Sequence, residues 1–400
     1  MKMTRILVVV AAMTVVIALA SFCPLLTGSA FAETKTLKIG LVSSLSGPWA
    51  AGIKSQVVAA KPAADFMNQR GGITVNGQKY NIEIVTADDQ SSPPGAVAAV
   101  SKLIQDGIKF VISPIFAPND LAMGKDCEQA KVLRMCPNRG NAENFGPPDH
   151  YSFLAEETIF NCRYVYDRIT TLYPHVKRIA IIHPDEPNVK GLADEAEKQI
   201  KQHGLQVVIN EPYKIPTEDF YPTLVKVMAQ KPDAIECLFA LLPWSKGIIE
   251  QSRENGFTGP VFAVASLGDN NELKAMIDPN YAYDICHATP YLDSPKTLPI
   301  VREYGKVIER ETREKFNMDH VMTFQALWAI LQGIERAQSL DTDRVVAVLE
   351  TAKNIQTPYG PGRFGGKELI GINRLMIRDV PFTQIMKGGK MEYEALTVKK

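Results

Sequence analysis

Five loops hold the side chains whose types and spacing suit chemistry. The first is Ser43-Ser44-Leu45-Ser46-Gly47-Pro48-Trp49. Ser44, Ser46 and Gly47 would bring backbone N–H groups to a helix start, a natural cradle for an anion or carboxylate. The same residues also suit an ordinary strand-to-helix turn. Trp49 is unusual for a solvent loop and suits a stacking wall. The second loop runs from Pro114 to Asp120; Phe116 and Ala117 would line an apolar wall, and Asn119 or Asp120 would cap the next helix. In the third, Pro137-Asn138-Arg139-Gly140, Arg139 is either a bidentate clamp for a carboxylate or a solvated loop arginine. The fourth begins Pro184-Asp185-Glu186, where Asp185 would meet an amine or cap a helix. The fifth carries Phe239, Leu241, Leu242 and Trp244 and is strongly apolar.

Nothing here has the spacing of an enzyme. The chain lacks a G-x-S-x-G elbow, a P-loop and an H-E-x-x-H helix. Cys136 and His183 each end a strand-like run, but in different halves of the chain, and a buried cysteine reads as a small hydrophobe. The six histidines show no metal-ligand spacing. The expectation is no catalytic residue, no metal and no cofactor.

The elements that must position these loops alternate. Strand-like runs at 37–42, 80–86, 110–113 and 132–136 are separated by helix-like runs at 51–69, 96–105 and 119–130. The rhythm pauses between Pro137 and Glu157 and restarts with strands near 178–183, 206–210, 234–239, 261–265 and 282–289. Three helical stretches follow at 298–316, 321–337 and 343–352, and a glycine-rich, strand-like end from Tyr359. Such alternation implies parallel sheets with helices on both faces, in two tandem α/β units. In doubly wound sheets ligands sit beyond the carboxyl ends of the strands, where the five loops lie.

Composition narrows the class. The 400 residues are 46% hydrophobic and carry 44 basic and 44 acidic side chains. Zero net charge argues against a nucleic-acid or anionic-membrane partner. At the start, Lys2 and Arg5 precede an apolar run from Ile6 to Ala20, then Pro24 and Ala30-Phe31-Ala32. That order predicts a cleavable export signal over residues 1–32. The alternatives are a retained anchor and a lipid attached at Cys23. Beyond residue 32 the formal charge is −2 and five cysteines remain, none in a C-x-x-C spacing. Cys237 and Cys286 are expected on second-half strands with another strand between them, buried and reduced. A bond between two of Cys127, Cys136 and Cys162 stays open.

A series of short motifs runs along the chain. Ile39-Gly40-Leu41-Val42 with Leu45-Ser46-Gly47 reads as a strand and a "PLSG"-like loop. Asn68-Gln69-Arg70-Gly71-Gly72-Ile73 before Gly77 reads as "N-x-x-GGI-x-G". Asp88-Asp89 ahead of Pro93 reads as "DDxxxP", and Thr217-Glu218-Asp219-Phe220 is close to "TDF". Thr357-Pro358-Tyr359-Gly360 with Phe364 reads as "TPxGxxxF". Each motif is weak alone; the order is specific, and it spans nearly the whole chain beyond residue 32. In this order the motifs resemble those of the branched-chain amino acid type of periplasmic solute-binding protein, the receptor of ABC importers.

The resemblance implies two doubly wound parallel-sheet lobes joined by a three-crossover hinge. The first lobe would comprise 33–152 and 290–356, the second 153–289 and 357–400. It also implies closure on a small ligand, a membrane permease as partner and a periplasmic location. A sensor that signals to a membrane receptor is the alternative on the same fold. The ligand positions depart from the family's amino acid binders. Their carboxylate-binding hydroxyl residues read Ala117 and Asn138 or Arg139 here. Their tyrosine-glycine reads Lys190-Gly191, and their "FRT" arginine reads Leu154. The expected ligand is therefore a carboxylate with an apolar or aromatic body, its charge taken by Arg139 or by the Ser44–Gly47 cradle.

Overall fold

The computed structural model describes residues 33–51, 53–137, 146–155, 158–264, 270–288 and 297–397. The expected signal segment, residues 1–32, and both Asn138 and Arg139 lie outside them.

The chain opens with β1 (Lys35–Ser43), α1 (Lys54–Gln69), β2 (Ile73–Val75) and β3 (Gln78–Asp88). Then come α2 (Pro93–Gln105), β4 (Phe110–Ile112), α3 (Ala117–Ala130), β5 (Leu133–Cys136) and β6 (Ser152–Leu154). The second series is α4 (Thr158–Leu172), β7 (Arg178–Pro184), α5 (Pro187–Gln202), β8 (Gln206–Tyr213), α6 (Tyr221–Ala229) and β9 (Ala234–Cys237). It continues through α7 (Leu242–Glu254), β10 (Val261–Ala263), α8 (Asn270–Met276) and β11 (Ile285–His287). Three helices follow, α9 (Pro299–Thr312), α10 (Met318–Ala337) and α11 (Thr342–Thr351). The end is β12 (Ile355–Thr357), β13 (Gly360–Gly365), α12 (Lys367–Ile370), β14 (Leu375–Ile377), β15 (Val380–Ile385) and β16 (Met391–Leu396).

Two sheets result. One has nine strands in the order β12-β13-β14-β6-β5-β4-β1-β3-β2, the other seven in the order β16-β15-β11-β10-β9-β7-β8. Neighbouring strands pair in parallel from β3 through β1, β4 and β5 to β6 and from β8 through β7, β9 and β10 to β11. Hairpins supply the antiparallel edges. The chain passes from the first sheet to the second after β6, returns after β11 and leaves again after β14.

Period-two alternation builds a core on each face of each sheet. Leu37, Ile39 and Leu41 of β1 point into the cluster under α1 and α10, whereas Val42 packs with Val100, Leu103 and Val111 on the opposite face. In β7, Ile179 and Ile181 join the α4–α5 side, and Ala180 and Ile182 the α6–α7 side. Such double-sided burial makes these strands read as continuous apolar runs.

One expected boundary is corrected. The sequence places everything from residue 357 on the second lobe, yet β13 and β14 belong to the nine-stranded sheet. β14 lies parallel to β6, with Leu154 N–H donating to Arg374 O at 2.9 Å. Leu375 and Ile377 are buried against Cys136, Leu154 and Ile370. The last passage between sheets therefore falls at Arg378–Asp379. β6 itself forms inside the stretch where the sequence rhythm pauses. The cysteine expectation holds: Cys237 lies on β9 and Cys286 on β11 with β10 between them, and both are free and buried. Cys127 is free and buried as well, and Cys136 is buried.

Candidate functional site

In the first lobe the loops after β1, β3 and β4 meet. The Ser44–Gly47 turn does form a cradle, and a carboxylate of the protein itself fills it. Asp88 Oδ1 accepts the N–H groups of Leu45 at 2.9 Å and Ser46 at 3.2 Å, and Asp88 Oδ2 accepts Ser46 Oγ at 2.6 Å. Burial works to raise the Asp88 pKa, but donors from Ser46, Gln90 and Leu45 outweigh it and hold the group below its ordinary value. Two backbone N–H groups and one hydroxyl of this turn are thus engaged from within. Ser44 turns the other way, donating to Asp89 Oδ1 at 2.6 Å.

Gly47 has φ +86°, and a Cβ there would sit 2.7 Å from Ser91 Oγ and 2.8 Å from Gln90 O. The glycine is required twice, for its left-handed backbone and for the close approach of the two loops. Just beyond it, Trp49 N–H donates to Ser91 Oγ at 3.1 Å, and the Trp49 ring stays 42% exposed. It lies 5.1 Å from the Phe116 ring at 30°. Phe116 is the N-cap of α3 and Ala117 its first residue. Neither Asn119 nor Asp120 caps this helix: Asn119 Nδ2 reaches Asp89 Oδ2 at 2.8 Å, and Asp120 pairs with Arg134 at 2.7 Å.

In the second lobe, β7 and β9 are neighbours, so their ends bring Asp185 and the Phe239–Leu241 turn to the same edge. Asp185 is exposed, with its N–H donating to Tyr213 O at 2.7 Å. Phe239 adopts φ 57° and leaves its ring 42% exposed. A bulky side chain in the left-handed region is strained, and such residues cluster at ligand-handling positions. Leu241, the N-cap of α7, is 51% exposed. His183 is buried, its Nδ1 2.7 Å from Pro184 O, and Cys136 lies on the other sheet. The two therefore form no catalytic pair.

Among the described residues no cluster of His, Cys, Asp or Glu is placed to hold a metal ion, and no helix is long and apolar enough to cross a membrane. An ion pair joins Lys315, in the α9–α10 turn, to Glu272 of α8, linking first-lobe and second-lobe elements. The loop residues Asp88, Asp89, Ser91 and Asn119 were missed as organisers of this site. The only signal for them was the Asp88-Asp89 motif.

The sequence profile of the family described as "Periplasmic binding protein" matches residues 36–390. A Leu/Ile/Val-binding protein from Rhizobium johnstonii is 28% identical over 342 residues, 82% of this chain and 87% of that protein. An amino acid ABC transporter substrate-binding protein from Pseudomonas fluorescens superposes with a TM-score of 0.72 at 18% identity, covering 92% of this chain and 97% of that one. An ABC transporter solute-binding protein from Rhodopseudomonas palustris, solved with 3,4-dihydroxybenzoic acid, gives 0.69 at 18% identity, covering 91% and 98%. Two parallel-sheet lobes, the passages between them and a profile that spans nearly the whole described chain lead to one assignment: the chain belongs to the periplasmic binding protein family.

Proposed function

We propose that this protein is the periplasmic solute-binding component of an ABC importer and closes on a small carboxylate with an apolar or aromatic body. One observation carries the ligand class. The first lobe presents the Trp49–Phe116 ring pair at the carboxyl ends of β1 and β4, and the second presents a strained, exposed Phe239 at the end of β9. Exposed Trp49 and Phe239 rings, one at the strand ends of each lobe, suit a flat apolar ligand body. The neighbour that holds 3,4-dihydroxybenzoic acid supports the reading, because the same fold accommodates an aromatic carboxylate there.

In this reading the Ser44–Gly47 turn takes no ligand charge, since Asp88 already fills it. The carboxylate would fall to Arg139 and Asn138, which follow β5 in the sequence, and Asp185 would face any amine. Ligand contacts from both lobes favour the closed form over the open one, and the permease reads that population. A sensor of the same fold gains no support, because the relatives reported above are named for binding and transport.

A thermal-shift panel of aliphatic amino acids, aromatic carboxylates, dicarboxylates and neutral amides tests the proposal. A ligand at a hundred times its dissociation constant stabilises the fold by about 2.7 kcal/mol. Stabilisation by benzoate-like carboxylates, lost on Arg139→Ala, is expected. Stabilisation confined to Leu, Ile and Val overturns the aromatic reading. Carboxylate affinity unchanged by Arg139→Ala removes that residue from the site.

A further inference from the structure

We propose that Asp89, which touches neither aromatic ring, is the positioning residue of the Trp49–Phe116 wall. The inference rests on the ligand reading above for its functional meaning, and its geometry stands independently. Asp89 is fully buried and takes three donors from three different segments. Ser44 Oγ, after β1, reaches Oδ1 at 2.6 Å; Ser91 N–H, after β3, reaches Oδ1 at 2.8 Å; Asn119 Nδ2, in the first turn of α3, reaches Oδ2 at 2.8 Å. Burying a polar group is costly unless its atoms are hydrogen-bonded, so the Asp89 side chain holds its place through these three contacts. Oδ1 of Asn119 is buried without a hydrogen-bond partner, so the Asn119 amide is committed to Asp89.

From Asp89 the connections close into a ring. Ser91, held by the carboxylate, accepts Trp49 N–H at 3.1 Å and donates to Ser46 O at 2.8 Å. Asn119 fixes the start of α3, three residues beyond Phe116, and Phe116 lies against Trp49. Gln90 and Ser91 are consecutive left-handed residues, at φ 52° and 56°. Their N–H groups are held by Asp88 and Asp89 respectively, both at 2.8 Å. Strain of this kind persists only where the surroundings over-determine it. The wall is thus set by the fold, and a ligand meets rings already in place.

The test uses the full chain carrying W244F and W328F, which leaves Trp49 as the sole tryptophan. Asp89→Asn keeps the shape but turns one acceptor into a donor. The double variant D89N/N119D exchanges donor and acceptor and keeps the bond between the two positions. Glu128→Gln, in a separate network with Tyr151 and Ser152, serves as a stability control. In the ligand-free protein, D89N is expected to raise acrylamide quenching of Trp49 about twofold. D89N/N119D should restore it, and E128Q should leave it unchanged while lowering the melting temperature. If D89N fails to fold, Ser91→Ala replaces it and should raise quenching by a similar factor. Quenching unchanged in D89N, or equally raised in E128Q, overturns the positioning role. Benzoate and leucine titrations form the second arm, with about tenfold weaker binding expected for D89N in wild-type-like folded protein. Wild-type protein that binds neither probe sinks the ligand reading alone, because the quenching arm still decides the positioning role.

Discussion

Glu236 offers the most quantitative test of the structure. It sits on β9 with no solvent exposure, on the face that carries Ala234 and Leu238 into the α4–α5 core. The hydroxyl of Tyr166 lies 3.1 and 3.3 Å from its two oxygens. Burial pushes its pKa up to about 8, and the Tyr166 hydrogen bond opposes that rise. The folded state therefore holds a proton that the unfolded state releases near pH 4.5. Stability from this group is complete below the unfolded value and is lost as pH rises towards 8. Buried His287, depressed to about 3, acts oppositely, costing stability as pH falls below 6.5. Asp319, raised to about 6 by burial, acts below pH 6. Between pH 6.5 and 8, Glu236 is the titrating group among the described residues with a printed shift in that window. One and a half pH units at about 1.36 kcal/mol each give a loss of about 2 kcal/mol. Glu236→Gln keeps the shape and removes the titration. Urea unfolding at pH 6.5 and pH 8 should show the loss in the wild type and a flat profile in the variant. Tyr166→Phe should extend the fall to higher pH, because the opposing hydrogen bond is gone. Parallel profiles for the wild type and E236Q would refute the assignment of a protonated, buried Glu236.

Other outcomes follow from the same geometry. Gly47→Ala must place a Cβ 2.7 Å from Ser91 Oγ at φ +86°, so it should cost about 3 kcal/mol in chemical unfolding. An unchanged midpoint would mean the two loops do not approach so closely. Burial lifts the thiols of Cys127 and Cys286 to about 12, and Cys136 and Cys237 are buried too. These four should resist a thiol reagent until the chain is unfolded, and peptide mapping that found Cys237 bonded to Cys286 would contradict the strand order. The Lys315–Glu272 pair is solvent-exposed, which limits it to about 1 kcal/mol. Glu272→Gln should therefore weaken ligand binding by no more than about fivefold in a titration, and a loss well beyond that would show closure depending on this contact. Phe239→Gly relieves a left-handed phenylalanine while deleting its ring. Stability should hold or rise as affinity for aromatic carboxylates falls, and unchanged affinity would place the ring outside the site.

Much was legible without coordinates. The alternation of apolar runs located nearly every parallel strand, because strands buried on both faces must be apolar along their length. The helix expected over 119–130 ends where its periodicity stops, at Ala130. The spacing of Cys237 and Cys286 forecast their separation by β10, since consecutive βα units lay their strands side by side. The order of weak motifs identified the family and thereby the two-lobed design.

What periodicity could not supply are the choices made by contacts between distant residues. Tyr359 onwards looks like a tail of the second lobe, yet β14 finds its parallel partner in β6, some 220 positions earlier, because Leu375 and Ile377 complete the apolar cluster around Cys136 and Leu154. Ser44, Ser46 and Gly47 have the composition of a ligand cradle. Only the pairing of β1 with β3, Ser43 beside Asp88, brings in the carboxylate that occupies it. The left-handed backbone at Phe239 and the aromatic pair of Trp49 and Phe116 are equally tertiary. Local sequence sets which residues can lie at the strand ends, through side-chain period and turn chemistry. Which polar group meets which is fixed by register across the sheet, where burial obliges each donor and acceptor to find a partner.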